Sequence, residues 1–348
     1  MVHWDREKTK KILLIQIIAL LFGLLTFVII SGDSMEPPAK GQLLEIESSY
    51  RLPLRELSGL HVRQLNGETQ IYGVGDKKAK IVVFNLENKT VRKINFESSL
   101  RQKFTLCSSA KSRNCAKVLK RLYSDWEALR VDESGYVYLL QEHSESLVIL
   151  NPEMDEVLSV VNFDLLSAFP KSLEKSSKKF QSNSLGEGLV LLNNGHFLVA
   201  KEMNPISLVE FGPADQRASG INSETFLNKG DFKRPNSLRE SYKALHYWDL
   251  AGNSKCDFSD IAYAKGQLYV LSQKCQQIFV FDRLNTSHKS MTQVDTFSLP
   301  RAIKNPEALA ILKDGRMIVG SDVRSKKKNL FVLKNPLDGK KVNDLQSH

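Results

Sequence analysis

The sequence predicts an all-β fold: an about five-bladed β-propeller preceded by a single N-terminal transmembrane helix. Three observations predict it. A strand–turn–strand segment recurs five times along the chain. Each copy is followed by a further apolar run of strand length. A long apolar stretch of membrane-spanning length stands near the N-terminus. After that stretch no sustained 3.6-residue period occurs, which argues against a helical architecture.

The N-terminal elements come first in order. Residues 1–11 form a basic tail with Arg6, Lys8, Lys10 and Lys11. Residues 12–32 form the anchor, whose core is the 19-residue run Ile12–Ile30, "ILLIQIIALLFGLLTFVII", with only Gln16, Gly23 and Thr26 outside the strongly apolar set. That length matches a bilayer core. The basic residues before it and the near absence of them after it place the N-terminus in the cytoplasm and the remainder outside. The run is longer than a usual signal-peptide core, and "ISGDS" is a poor cleavage site, so the anchor reads as uncleaved. Residues 33–44 are a linker, 45–340 the propeller and 341–348 a C-terminal tail. Within this division "LLEIESSY", residues 43–50, is suited to supply an outer strand that closes the ring against the last blade.

The repeats read "ELSGLHVRQLNGETQIYGVGD" (56–76), "DWEALRVDESGYVYLLQE" (125–142), "LGEGLVLLNNGHFLVAKE" (185–202), "DFSDIAYAKGQLYVLSQ" (257–273) and "NPEALAILKDGRMIVGSD" (305–322). Each is a strand, a turn usually carrying Gly and a second strand. The third apolar runs are "KIVVFNL", "SLVILNP", "ISLVEFGP", "QIFVFDRL" and "NLFVLKN", and "EVLSVVNFDL" and "MTQVDTFSL" add fourth strands. Three- or four-stranded repeats at such spacings are propeller blades. Insertions lie at 162–183 and 212–250, and the second is long enough to hold a sixth, degenerate blade.

The spacing of acids in the repeats carries the chemistry. Glu127 and Glu142, Glu187 and Glu202, and Glu307 and Asp322 are each 15 residues apart. In a hairpin, the start of the first strand and the end of the second lie at one end. First strands of blades usually line the central channel, so all three pairs are expected around one mouth. Asp76 belongs to the set with Ser58 in place of its partner, and the fourth blade is neutral, with Ser259 and Gln273. Carboxylates converging on one axis repel unless they take up protons, meet basic partners or bind a metal ion. Oxygen-only ligands from several blades suit a hard cation, Ca²⁺ before Mg²⁺. The same acids would alternatively cap blade turns by accepting backbone N–H groups.

Four cysteines fall after the anchor. An oxidising compartment permits Cys107–Cys115 and Cys256–Cys275 bridges, a pairing chosen by proximity among three possible. The formal charge of +10, from 49 Lys and Arg against 39 Asp and Glu, suits anionic surroundings or an anionic ligand, or simply a Lys-rich surface. The basic runs lack the interleaved aromatics of a nucleic-acid groove, so no nucleic-acid partner is expected.

The ordered set "ELSGL", "DWEAL", "GEGLVL", "DFSDIAY" and "PEALAIL", each leading into a strand that ends in an acidic or amide residue, resembles the SdiA-regulated (YjiK-like) propeller family, a distant relative of NHL-repeat and esterase-like phytase propellers. The resemblance covers about residues 50–335. It implies a five-bladed propeller with a bound calcium ion on Glu127, Glu187 and Glu307, with Glu142 and Glu202 second. It also implies a single-pass protein of the bacterial inner membrane with its propeller in the periplasm. The neutral fourth blade makes any such site lopsided.

Catalytic motifs are absent. There is no G-x-S-x-G elbow, no H-E-x-x-H and no phosphate-binding glycine loop, and S-x-x-K occurs at Ser108, Ser172 and Ser325 only in loop-like segments. The expected function is therefore a membrane-tethered calcium-binding module that recruits a small molecule or protein. The alternative is a calcium-dependent hydrolase of phosphate or ester bonds, with the metal polarising the substrate.

Overall fold

The computed structural model describes residues 41–103, 123–169, 186–203, 205–249, 255–323 and 327–336. The anchor Ile12–Ile30 and the pair Cys107 and Cys115 lie outside these residues. Among the described residues no helix is long and apolar enough to cross a membrane.

In chain order, β1 (Gln42–Leu43) and β2 (Ile46–Tyr50) precede the first blade. That blade is β3 (Leu57–Leu65), β4 (Glu68–Gly75), β5 (Lys80–Asn85) and β6 (Val91–Asn95), followed by helix α1 (Glu97–Lys103). The second blade is β7 (Trp126–Val131), β8 (Val137–Gln141), β9 (Ser146–Leu150) and β10 (Val157–Asn162). The third begins with β11 (Gly186–Leu191), β12 (Phe197–Lys201) and β13 (Ser207–Gly212). After β14 (Arg239–Ser241) it is completed by β15 (Lys243–Asp249). The fourth is β16 (Asp260–Ala264), β17 (Gln267–Ser272), β18 (Gln277–Phe281) and β19 (Gln293–Ser298). The fifth is β20 (Pro306–Ile311), β21 (Met317–Ser321) and β22 (Leu330–Leu333).

Five separate sheets result, each built on an antiparallel run of strands with the first strand innermost. The innermost strands touch in the order β3, β7, β11, β16, β20 and back to β3, which closes the ring. Blade faces pack on neighbouring blades from both sides, so strands such as "VYLLQ" and "SLVIL" are buried at every position and read as apolar runs. The outer strand "VRKIN" is exposed at every position but Ile94, which is half-buried. Five apolar clusters fill the five gaps between blades. Trp126 and Phe96 meet edge-on in one of them and Trp248 is wholly buried in another.

The expected closing strand is present, now bounded as β2. It pairs antiparallel with β22, Ile46 opposite Leu333 and Tyr50 opposite Leu330, so chain-distant segments complete one blade. Asn329 fastens the join. Its side-chain oxygen accepts from Leu52 N at 2.8 Å, and its amide donates to the Leu52 and Leu54 carbonyls. Two further edge strands were not legible in the repeats. β1 adds in parallel to β19, and β14 adds in parallel to β10. The 212–250 insertion thus resolves into β14, β15 and a connection, and the described residues form five blades.

Inner strands approach closely where side chains vanish. A Cβ on Gly59 would lie 2.8 Å from the Ala128 backbone, and one on Gly188 2.8 Å from Ile261 N. Cys256 and Cys275 form a disulfide across the ends of the β16–β17 hairpin, with Cα atoms 5.3 Å apart.

Candidate functional site

Two mouths open on the central channel, and a polar plug separates them. The first mouth is built by a local device that recurs in four blades. The pairing register slips between Leu57 and Gly59, Trp126 and Ala128, Gly186 and Gly188, and Pro306 and Ala308. The extra residue in each bulge is Ser58, Glu127, Glu187 or Glu307. A bulge bends the strand and re-aims the side chain it carries, and here the four side chains line one cavity of about 180 Å³. Two residues earlier Glu56, Asp125 and Asn305 have φ of 53°, 63° and 45°, turning the chain into the inner strand. Their carbonyls accept from the N–H groups of Asp76, Glu142 and Asp322, which fixes the ends of the second strands beside the bulges.

The equal 15-residue spacings have a matching cause. Blades two, three and five share one turn, with Gly135, Gly195 and Gly315 at φ above 90°. The N–H of each of these glycines bonds back to Asp132, Leu192 or Leu312. Blades one and four use the two-residue turns Asn66–Gly67 and Lys265–Gly266, and these are the blades that lack the acid pair.

The cavity brings together Glu127, Glu187, Glu307, Glu202, Asp322 and Asp76 of the expected residues, with neutral Ser58, Ser259 and Gln273. Glu142 is not in its lining, although its charge acts on both Glu127 and Glu187. Three charged residues in or beside the mouth fall outside the paired acid spacing. Glu56 lines the cavity from the turn before β3. Lys77 sits at the rim, 3.1 Å from Glu56 and paired with Asp76. Lys201 is wholly buried and donates to the Met203 carbonyl at 2.7 Å. A lysine inside the otherwise apolar run "FLVAK", buried on both faces, was the available signal.

Burial and mutual repulsion dominate the electrostatics. The Glu127 carboxyl is held well above its ordinary range by desolvation and then by Asp76, Glu142 and Glu307. Glu187 is raised likewise, by desolvation and then by Glu127, Glu142, Glu202 and Glu307. Glu307 rises to about 8 through burial, Asp322 and Asp76, against the hydrogen bond from Gln273 Nε2 at 2.9 Å. Burial lowers Lys201 to about 8, with Glu202 and Glu142 holding it from falling further.

The donor set is oxygen throughout, which suits Ca²⁺ or Mg²⁺ in kind. Among the described residues no three acidic, His or Cys side chains stand close enough to grip one ion together. The side chains are splayed around the cavity rather than gathered on a point, so an ion here would take part of its shell from water or draw them inward.

Arg130 and Asp260 form the plug. Arg130 donates to the Leu60 carbonyl at 2.7 Å, to Leu129 and Ile261, and to Asp260 Oδ1 at 3.2 Å. Asp260, wholly buried, also accepts from Ile261 N at 2.7 Å and Leu309 N at 2.7 Å. Burial lifts its carboxyl to about 7, with Arg130 and the backbone donors pulling it back. Four blades are tied by this one pair.

No family model matches the chain, and no curated protein matches it. Among solved structures it is similar to the PQQ-bound aldose sugar dehydrogenase of Streptomyces coelicolor, at 10% identity over 86% of this chain and 99% of that one, TM-score 0.43. It is also similar to the glutaminyl cyclase of Myxococcus xanthus, at 10% identity over 85% and 97%, TM-score 0.45. A third is a luciferin-regenerating enzyme, at 12% identity over 85% and 96%, TM-score 0.43. None of these likenesses bears on the chemistry of the mouth. The sheets themselves establish that the chain forms a β-propeller.

Proposed function

We propose that this propeller is a calcium-binding recognition module, displayed outside the cytoplasm on its N-terminal span and using the acidic mouth as its cation site. The observation that carries the reading is the convergence of Glu127, Glu187 and Glu307 from three blades on one cavity. Their bulges aim like charges at a shared space, and desolvation makes that arrangement unfavourable without a counter-ion. Glu202, Asp322 and Asp76 would complete the shell, with the Ser58 and Ser259 hydroxyls, the Gln273 amide oxygen and water. When bound, a calcium ion would supply fixed positive charge facing the open mouth, able to hold an anionic group of a ligand.

The Cys256–Cys275 disulfide supports an oxidising compartment, in keeping with export. The resemblance to the SdiA-regulated family points the same way. A reporter fused after His348 should be active only outside the cytoplasm, and the protein should stay with membranes after carbonate extraction. Activity in the cytoplasm would overturn the topology.

Calorimetric titration of metal-stripped protein tests the cation. Ca²⁺ should bind saturably and more tightly than Mg²⁺, and the absence of any heat or thermal shift with either would sink the reading. A parallel turnover screen with phosphomonoesters and aryl esters, with calcium and with chelator, separates recognition from hydrolysis. Calcium-dependent turnover lost in Glu187→Gln would replace the module by the hydrolase.

A further inference from the structure

The second mouth has a different chemistry. Past Arg130 and Asp260 the inner strands continue, and there they wall a cavity of about 90 Å³. Leu60, Val62, Leu191 and Ile311 contribute apolar surface from three blades. Phe226 and Leu227 close one side and belong to the connection between β13 and β14. That connection is fastened to the third blade and packs on the fourth. Leu227 N donates to the Leu191 carbonyl at 3.2 Å, Asn193 N donates to the Thr225 carbonyl at 2.9 Å, and the Phe226 ring packs on Tyr263 at 4.6 Å. The polar groups of the lining are His61, Tyr263 and Arg130, and no carboxylate lines the cavity.

We propose that this second mouth binds a small uncharged aromatic molecule bearing a hydroxyl, a phenol-type ligand, with its ring between Leu191, Phe226 and Ile311 and its hydroxyl on the His61 imidazole.

The lining excludes other charge types. A cation would face Arg130 with no lining carboxylate to receive it. An anion would find the four Nη–H donors of Arg130 already directed at the Leu60, Leu129 and Ile261 carbonyls and at Asp260, and would leave water for little in return. The His61 imidazole and the Tyr263 hydroxyl supply the remaining polar contacts, and the imidazole is the acceptor. Burial, then Arg130 and Arg63, depress its pKa to about 3, so the ring is neutral and offers one nitrogen lone pair. A hydroxyl donor satisfies it. The nearby guanidinium charges favour the electron-rich oxygen that such a donor presents. The cavity is smaller than the closed space of about 150 Å³ that takes benzene. A single ring would therefore enter only in part, with its far edge in the open mouth.

The test uses the full chain in calcium, with phenol, anisole, benzoate and benzylamine as probes, read by ligand-observed NMR and calorimetry. Phenol should bind saturably at millimolar concentration. Anisole, which cannot donate, should bind about tenfold more weakly, and the two ions should not compete. Leu191→Trp should fill the cavity and abolish phenol binding while leaving the calcium titration unchanged. Should that variant fail to fold, Ile311→Trp at the cavity's partly exposed edge reads the same loss. His61→Phe should weaken phenol to the level of anisole. Failure of phenol to bind wild type, equal binding of benzoate, or binding that survives a filled cavity would overturn the proposal. The calcium titration run on each variant keeps this outcome separate from that of the acidic mouth.

Discussion

Arg130 on the second blade reaches Asp260 on the fourth, Nη2 to Oδ1 at 3.2 Å, and the pair closes the channel between an acidic mouth and an apolar one. Residues 130 positions apart in the chain meet only because the ring is closed. Removing one partner leaves the other charge buried. Asp260→Asn and Arg130→Met singly should therefore each destabilise by about 3–5 kcal/mol, whereas the two together should lose much less than the sum. Urea denaturation of the singles and the double checks this, and additive losses would count against the plug.

Calcium should stabilise the folded protein by linkage, by about 2.7 kcal/mol at 100 times the dissociation constant. Glu187→Gln should blunt that response far more than Glu68→Gln. Glu68 is exposed and accepts from Asn85 Nδ2 at 2.6 Å, away from the acidic lining. In chelator, Glu187→Gln should be slightly more stable than wild type because it removes repulsion. Thermal shift with and without calcium decides, and equal responses in the two variants would place the ion elsewhere.

The ion-free protein should lose stability as pH rises. The Glu307 carboxyl titrates at about 8 in the folded chain and near its ordinary value of 4.5 when unfolded. Below that ordinary value both states hold the proton. Between the two values the folded state holds it and the unfolded state does not, so stability falls through this window. Water in the open mouth limits the effect to on the order of 1–2 kcal/mol. Melting in chelator from pH 5 to pH 8 should show the fall, and saturating calcium should remove it.

Asn329→Ala should loosen the join between β2 and β22. The side chain is 2% exposed and serves Leu52 and Leu54 backbone groups that would be left without it. A loss of about 1–3 kcal/mol is expected. Hydrogen exchange should quicken first in Ile46–Tyr50, and unchanged exchange there would show that the clamp is not what closes the ring.

Reduction of Cys256–Cys275 should cost on the order of 3 kcal/mol through the loop it closes. Non-reducing peptide mapping should recover the two cysteines in one linked pair, and denaturation before and after reduction gives the magnitude.

The repeats were readable because strand period and turn residues act over a dozen positions. Glu127 and Glu142 stood out for the same reason, since a shared turn with Gly135, Gly195 or Gly315 sets an equal spacing. The hairpin ends that carry Cys256 and Cys275 are equally local. Glu56 holds the same turn position as Asp125 and Asn305, yet it alone of the three lines the cavity, which the repeat does not encode; Lys201 has no counterpart in the other blades, and the strands β14 and β15 of the 212–250 segment join different blades.

Other features belong to the closed ring alone. The chain's local patterns placed a carboxylate at the start of three inner strands. Whether those carboxylates share one cavity or sit at separate edges depends on the bulges at Glu127, Glu187 and Glu307 and on the five interblade cores. The same closure left Glu142 outside the lining, set Arg130 against Asp260 and brought Phe226 over the second mouth. Turn and strand preferences are energies of neighbouring residues. Contacts between distant blades are set by the packing of whole sheets, where close-approach positions such as Gly59 and Gly188 decide how near the inner strands come, and no local pattern encodes that distance.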